Sequence, residues 1–246
     1  MKKPIYQMNR SYFLAFLFFL SAIFVGNAVA QEIAAPGTYL SALKTEFVKK
    51  WPENHTINLV FHGHSVPTGY FATPNVNTLD AYPHSLLVKL KQLYPFAVIN
   101  MITTSIGGEN SEQGQKRLKK EVLIHRPDVL FIDYALNDRG IGLERSKVAM
   151  EKMIKTALSK GIKVILLTPS PDISTDILMA DNPLQQHSRQ LIELAKKYHI
   201  GLSDSFEQFK SLAKSGHNLK DYMAQSNHPN KKGHELIAEE LFKYFR

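Results

Sequence analysis

Four short stretches of this chain bring together residue types that could carry out acyl transfer. They are Gly63-His64-Ser65, the run TSIGGENS from Thr104 to Ser111, the run ALNDR from Ala135 to Arg139, and the run QSNHPNKKGH from Gln225 to His234. A serine hydroxyl attacks a carbonyl only once a base takes its proton, and near neutral pH an imidazole can do so. The tetrahedral species that follows carries an oxyanion, which needs preorganised N–H donors from backbone amides and often an asparagine side chain. Ser65 is the candidate nucleophile and His228 the candidate base. The Gly-Gly turn at Gly107 and Gly108 and the Asn137 side chain are the candidate oxyanion donors. Taken singly, these stretches have ordinary uses, since Gly-x-Ser makes turns and Asn-Asp caps helices. His62 and His64 also form an H-x-H pattern. In a strand they share a side, which a metal ion would favour; a third ligand is hard to place, with His228 or Asp138 the residues that could approach.

Short apolar runs alternate with longer helical patterns, and these must position the reactive residues. INLVFHG (Ile57 to Gly63), AVINMIT (Ala97 to Thr103), DVLFIDYAL (Asp128 to Leu136) and KVILLTP (Lys163 to Pro169) read as strands, with IGLSD (Ile200 to Asp204) as a short fifth. They are apolar without clean alternation, as parallel strands covered on both faces should be. Ala149, Met153 and Ala157, beside Met150, Ile154 and Leu158, make a helical stripe that Gly161 ends. Leu184, Leu191, Leu194 and Tyr198 make another. Ile237, Leu241 and Tyr244 mark a last helix, which Pro229 is expected to open. The alternation implies a three-layer α/β/α sandwich around a mostly parallel sheet. Sites in such sheets lie beyond the carboxyl ends of the strands, where three of the four stretches fall. The fourth precedes the last helix.

With those stretches in place, the sequence resembles the SGNH/GDSL hydrolases through most of its length. The family's first block reads Gly-Asp-Ser, here Gly63-His64-Ser65. Its second supplies an oxyanion glycine, matched best by Gly108, with Gly107 one residue off. Its third reads Gly-x-Asn-Asp, here Ala135-Leu136-Asn137-Asp138. Its last reads Asp-x-x-His-Pro, here Gln225-Ser226-Asn227-His228-Pro229. The resemblance implies a flavodoxin-like SGNH fold, an acyl-enzyme on Ser65, and no metal or organic cofactor. It implies ester substrates, O-acetyl or other short acyl groups often carried on carbohydrates, with lysophospholipids and thioesters also in range.

Two departures bear on chemistry. His64 replaces an aspartate that is not the triad acid. Gln225 stands where the family has the carboxylate that orients the histidine. A carboxylate fixes the tautomer and stabilises the imidazolium, whereas a neutral amide can do only the first. Three readings stay open: a Ser-His dyad oriented by a main-chain carbonyl or by Gln225; orientation by Asp221, just upstream in LKDYMAQSNH; or a non-catalytic glycan-binding protein on the same fold. A metal-dependent hydrolase using His62 and His64 is the remaining rival.

Among neighbouring residues, His64 and Glu109 are expected at the substrate, His64 in the pocket wall or in a hydrogen bond beneath it. Asp138 is expected to cap or pair so as to hold the Asn137 loop, with Arg139 either paired nearby or in contact with substrate. His234 reads as structural, and Asp133, inside the third strand run, needs a buried partner. VPTGYFATPNV (Val66 to Val76) and TPSPDIS (Thr168 to Ser174) are candidate walls of the site.

The chain opens as an export signal. Lys2, Lys3 and Arg10 precede the uncharged run YFLAFLFFLSAIFV (Tyr12 to Val25), and Ala28-Val29-Ala30 gives a small-x-small cleavage pattern. The apolar run is short for a span of ~20 residues. Residues 1–30 therefore read as a signal peptide and 31–246 as one hydrolase domain, periplasmic or secreted, without stable membrane insertion after cleavage. There is no cysteine, so stability must come from the core alone. Cleavage removes three of the positive charges behind a net charge of +8. The remaining basic residues are scattered, with no aromatic-interleaved stripe, which argues against nucleic acid as a partner.

Overall fold

The computed structural model describes Met1 and residues 32–246. The expected signal segment, residues 1–30, lies outside the described residues but for Met1. Strands β1 (Thr56–Gly63), β2 (Val98–Thr103), β3 (Val129–Asp133), β4 (Lys163–Leu167) and β5 (Gly201–Ser203) form one parallel sheet in the order β2-β1-β3-β4-β5. A ribbon of β6 (Met223–Gln225) and β7 (His228–Pro229) stands apart from it. The helices are α1 (Pro36–Tyr39), α2 (Ser41–Phe47), α3 (Ser65–Thr68), α4 (Tyr82–Leu93), α5 (Ser111–Arg117), α6 (Ala135–Asp138), α7 (Leu143–Leu158), α8 (Pro183–Tyr198), α9 (Ser205–Lys214) and α10 (Lys231–Phe242). Among the described residues no helix is long and apolar enough to cross a membrane.

Side chains alternate across a strand, and in β1, β3 and β4 both faces are buried, whereas the edge strand β2 has no buried residue. Leu59, Phe61, Val129, Phe131, Ile165 and Leu167 join one core, with α4, α9 and α10 above them. Val60, Leu130, Ile132, Val164 and Leu166 join the other, against α7 and α8. That is why the strands read as unbroken apolar runs. Phe61 and Phe131 stack at 4.2 Å across the β1–β3 pair, and burying each ring contributes about 2–3 kcal/mol.

Two boundaries differ from the sequence reading. The third apolar run continues to Leu136, yet the strand stops at Asp133 and Ala135–Asp138 forms a helical turn. Tyr134, Ala135 and Leu136 are still buried, so apolarity outlasts the strand. Pro229 lies in β7 and does not open the last helix. Asn230 opens it, its Oδ1 accepting the amides of Lys232 at 2.9 Å and Gly233 at 3.3 Å.

Candidate active site

The strand order reverses between β1 and β3, so the loops leaving them diverge and open a crevice at their carboxyl ends. Ser65 stands there as the first residue of α3, two residues beyond Gly63. A Cβ on Gly63 would lie 2.4 Å from the Asp133 carbonyl oxygen. Only glycine lets β1 and β3 approach this closely at the turn into the site. Ser65 Oγ lies 2.8 Å from His228 Nε2, across 163 residues of sequence. Both residues are buried, at 7% exposure each.

The β6–β7 ribbon presents His228, with Gln225 paired to it. His228 Nδ1 lies 3.0 Å from the main-chain oxygen of Phe71 and 2.7 Å from Gln225 Nε2. One nitrogen cannot serve both. A carbonyl only accepts, so Phe71 favours a proton on Nδ1 and leaves Nε2 free to accept from Ser65. The Gln225 amide is turned the other way. Its Oε1 accepts the Thr73 amide at 3.0 Å and its Nε2 donates to Asn227 Oδ1 at 3.2 Å, so an N–H donor faces the ring. Burial holds the His228 pKa below the ordinary imidazole value, with the Phe71 carbonyl opposing the shift and His64 adding to it. The ring is therefore neutral at neutral pH and able to take a proton.

The expectation for Asp221 is corrected. It is exposed on the 3-10 turn Leu219–Tyr222, and its main-chain oxygen accepts from Asn230 Nδ2 at 3.0 Å. β6 separates it from His228, whose Nδ1 is occupied by Phe71 and Gln225.

On the opposite side, Gly108 adopts φ 78°, its Cα facing open space and its residue exposed. The left-handed conformation favours glycine. Asn137 Nδ2 donates to the Glu109 carbonyl at 2.9 Å, which brings the carboxamide beside the Gly107–Gly108 turn with one N–H to spare. Asp138 fixes this loop from behind, accepting the Ser111 amide at 2.8 Å and the Ser146 hydroxyl at 2.6 Å. The Ser65 amide belongs to a first helical turn, where backbone donors have no intrahelical partner.

Glu109 and the His62/His64 pair depart from expectation, and Arg139 takes its paired alternative. Glu109 is buried and does not face substrate: its carboxylate takes Arg117 Nε at 2.7 Å and the Tyr134 hydroxyl at 2.7 Å. Arg139 pairs with Asp172 at 3.0 Å and donates to the Leu136 carbonyl at 2.8 Å. His64 lies inside the molecule, its Nδ1 accepting the Val66 amide at 3.3 Å to cap α3. Its Nε2 lies 3.3 Å from Asp133 Oδ1, in contact but out of line for a hydrogen bond. His62 faces other groups, Thr104 Oγ1 at 3.2 Å and the Gly114 carbonyl at 3.1 Å, and burial followed by the charge of Arg117 lowers its pKa to about 3. The chain bends between the two histidines, so they do not act as a pair. Among the described residues no three His, Asp or Glu side chains are grouped to hold a metal ion.

The loop Val66 to Val76 wraps the site. Its Tyr70 ring lies 6.0 Å from the His228 ring and in contact distance of Gly107. The loop after β4 reaches the same place, the Ile173 amide donating to the Ser226 carbonyl at 2.7 Å. Sequence reading misses the Phe71 carbonyl, because a main-chain atom has no residue signature. It flags Asp133 without a partner, and the structure supplies two: the Tyr82 hydroxyl at 3.0 Å and His64. A cavity of about 490 Å³ between α4 and β2, lined in part by Pro67, Leu87 and Met101, includes neither Ser65 nor His228.

The family model for GDSL-like lipase/acylhydrolase matches residues 61–236. A comparison with curated proteins returns no match. Among solved structures, the acetylxylan esterase Axe2 from Geobacillus stearothermophilus aligns at TM-score 0.67 and 17% identity, over 80% of this chain and 95% of that one. Catalytic mutants of that esterase replace a serine, an aspartate or a histidine by alanine. A protein from Parabacteroides merdae described as a GDSL-like lipase aligns at TM-score 0.64 and 16% identity, over 77% of this chain and 95% of that one. At such identities the likeness establishes the shared fold, an α/β domain around a five-stranded parallel sheet.

Proposed function

The chain belongs to the GDSL-like lipase/acylhydrolase family, and from that membership we propose that it is an exported serine ester hydrolase acting on short acyl esters, O-acetyl groups on carbohydrates foremost. The observation that carries the reading is the 2.8 Å contact between Ser65 Oγ and a neutral His228 Nε2 whose far nitrogen meets the Phe71 carbonyl. Ser65 attacks the ester carbonyl while His228 Nε2 takes the hydroxyl proton. The developing oxyanion is held by the amides of Ser65 and Gly108 and by Asn137 Nδ2. His228 then protonates the leaving alcohol, activates water and restores Ser65. The Phe71 carbonyl orients the ring as a triad carboxylate would, but brings no full charge to the imidazolium. The acetylxylan esterase among the structural neighbours supports the acetyl-carbohydrate choice, and the leader read in residues 1–30 supports export.

Fluorophosphonate labelling with peptide mapping tests this reading. Ser65 should carry the label, and Ser65→Ala should lose both label and acetate release from an acetylated xylooligosaccharide while melting like the parent. A folded parent that stays unlabelled sinks it. The donor that Gln225 turns toward His228 favours one other reading, glycan binding without turnover. An unlabelled protein that retains acetylated oligosaccharide on a column would establish that one.

A further inference from the structure

The two oxyanion donors outside Ser65 come from loops that are not neighbours in the sheet. Gly108 follows β2 and Asn137 follows β3, and β1 lies between those strands. Ladder hydrogen bonds therefore do not join the two loops, yet donors that share one oxygen must be held to within about 0.5 Å. A buried side-chain clasp bridges the gap. Glu109, next to Gly108, takes the Tyr134 hydroxyl at 2.7 Å and Arg117 Nε at 2.7 Å. Tyr134 is the first residue past β3, and its carbonyl accepts the amides of Asn137 at 3.0 Å and Asp138 at 3.1 Å, which starts the Asn137 turn. Glu109 closes the glycine turn, its amide donating to the Ile106 carbonyl at 3.2 Å, and its own carbonyl holds Asn137 Nδ2 at 2.9 Å. The two loops are thus joined by the side chains of Glu109 and Tyr134 and again by the Asn137 carboxamide. The clasp also meets β1, where His62 Nε2 lies 3.2 Å from the Tyr134 hydroxyl. A Cβ on Gly114 would lie 2.2 Å from that hydroxyl, so a glycine in α5 makes room for it. Glu109 and Tyr134 are both buried. A buried ion pair such as Glu109–Arg117 adds little stability over apolar packing of equal volume. What hydrogen bonds of fixed length add is direction.

We propose that Glu109 and Tyr134 are positioning residues of the oxyanion hole: their clasp, braced by Arg117, sets where the Asn137 carboxamide stands relative to the Gly108 amide. The proposal rests on the reading of Ser65 as an acyl-transfer nucleophile and adds to it residues that touch no substrate. Without the clasp, the Glu109 carbonyl can shift, and Asn137 Nδ2 shifts with it. A small misplacement of a donor costs most where negative charge develops. The effect therefore falls on kcat rather than KM, because the oxyanion is absent from the bound ester. The Asp138 carboxylate, which takes the Ser111 amide at 2.8 Å, joins the same loops at a second point. One tie alone leaves a hinge, and the two together fix the angle between the loops.

Steady-state turnover of an acetylated xylooligosaccharide tests the clasp. Tyr134→Phe removes the hydroxyl, and Glu109→Gln removes the charge that Arg117 and Tyr134 hold, each with the side-chain shape kept. Either should lower kcat by about tenfold or more while KM stays within about twofold, and matched melting temperatures check the fold. A trifluoromethyl ketone, which forms a tetrahedral adduct on the nucleophile, should lose affinity by the same factor as kcat/KM. In an Asn137→Ala background the loss from Tyr134→Phe should shrink to about twofold, since the donor that the clasp aims is gone. A merely structural pair lowers kcat by the same factor with and without Asn137, or lowers the melting temperature with kcat intact, and either result overturns the proposal. A loss confined to KM overturns it too. A parent protein that neither takes a fluorophosphonate label nor releases acetate overturns the hydrolase reading itself, and the clasp with it.

Discussion

The two sides of Ser65 are held in different ways. On the nucleophile side, the sheet itself does the positioning. β1 and β3 run in register to Gly63 and Asp133, Gly63 admits the close approach, and His64, Asp133 and Tyr82 fill the floor with buried polar contacts. On the base side, His228 sits on a two-residue strand, oriented by a loop carbonyl and faced by a neutral amide. Neutral groups can aim an imidazole. Stabilising the charge it acquires takes an anion, and the buried carboxylates near Ser65, Asp133, Glu109 and Asp138, all hold partners off the base side. Orientation and charge, which one carboxylate usually supplies together, are here divided between two regions.

The largest expected effect strikes both regions at once. His62 supports the nucleophile side and His234 the base side, where it stacks on Phe71 at 5.3 Å and accepts the Tyr82 amide at 3.2 Å. Burial above all lowers both pKa values to about 3. In the unfolded chain both titrate near the ordinary ~6.5, so below that value the unfolded state binds more protons than the native one. Their contribution to stability is complete above about pH 6.5 and is lost as pH falls toward 3, on the order of a few kcal/mol for each. Urea melts at pH 7, 5.5 and 4.5 should show a steadily falling midpoint. A midpoint flat over that range would remove the symmetry between the two regions.

Next in size is the oxyanion side. Asn137→Ala should lower kcat by about 100-fold or more with little change in KM, as loss of one oxyanion donor does. A loss confined to KM would move Asn137 from the reaction to ground-state binding. Gln225→Glu is a smaller change, aimed at the division of orientation and charge. It sets a carboxylate oxygen where the amide nitrogen now stands 2.7 Å from Nδ1. The carboxylate should raise the His228 pKa, moving the acid limb of kcat/KM to higher pH, and raise kcat up to about tenfold by stabilising the imidazolium. An unmoved acid limb would show that the base side already has its charge from elsewhere. Smallest of all, Asp221→Asn should leave ester turnover within about twofold, since surface changes away from special features do little. A larger loss would restore Asp221 to the base side.

Much of the nucleophile side is legible in the sequence. Val- and Ile-rich runs read as strands of a parallel sheet, although the run that forms β2 lies at the exposed edge, and a serine two residues past the end of one such run falls at the crevice of the sheet. The order of Ser65, Gly108, Asn137 and His228 along the chain carries the family. The directions in which His64 and Glu109 point are not legible there, because a side chain's partners depend on which elements pack against it. Glu109 looks like a rim residue until Arg117 and Tyr134 close over it, and His64 looks like a pocket residue until α3 turns it inward. The orienting group of His228 is further out of reach. It is the carbonyl of Phe71, an atom that every residue possesses, selected only by the path of a loop that meets His228 from 157 residues away. Sequence by itself thus determined which runs form the sheet and which side chains could react. Tertiary structure alone decided which nitrogen faces which oxygen and where the buried negative charge lies, because main-chain placement and burial are properties of the packed whole.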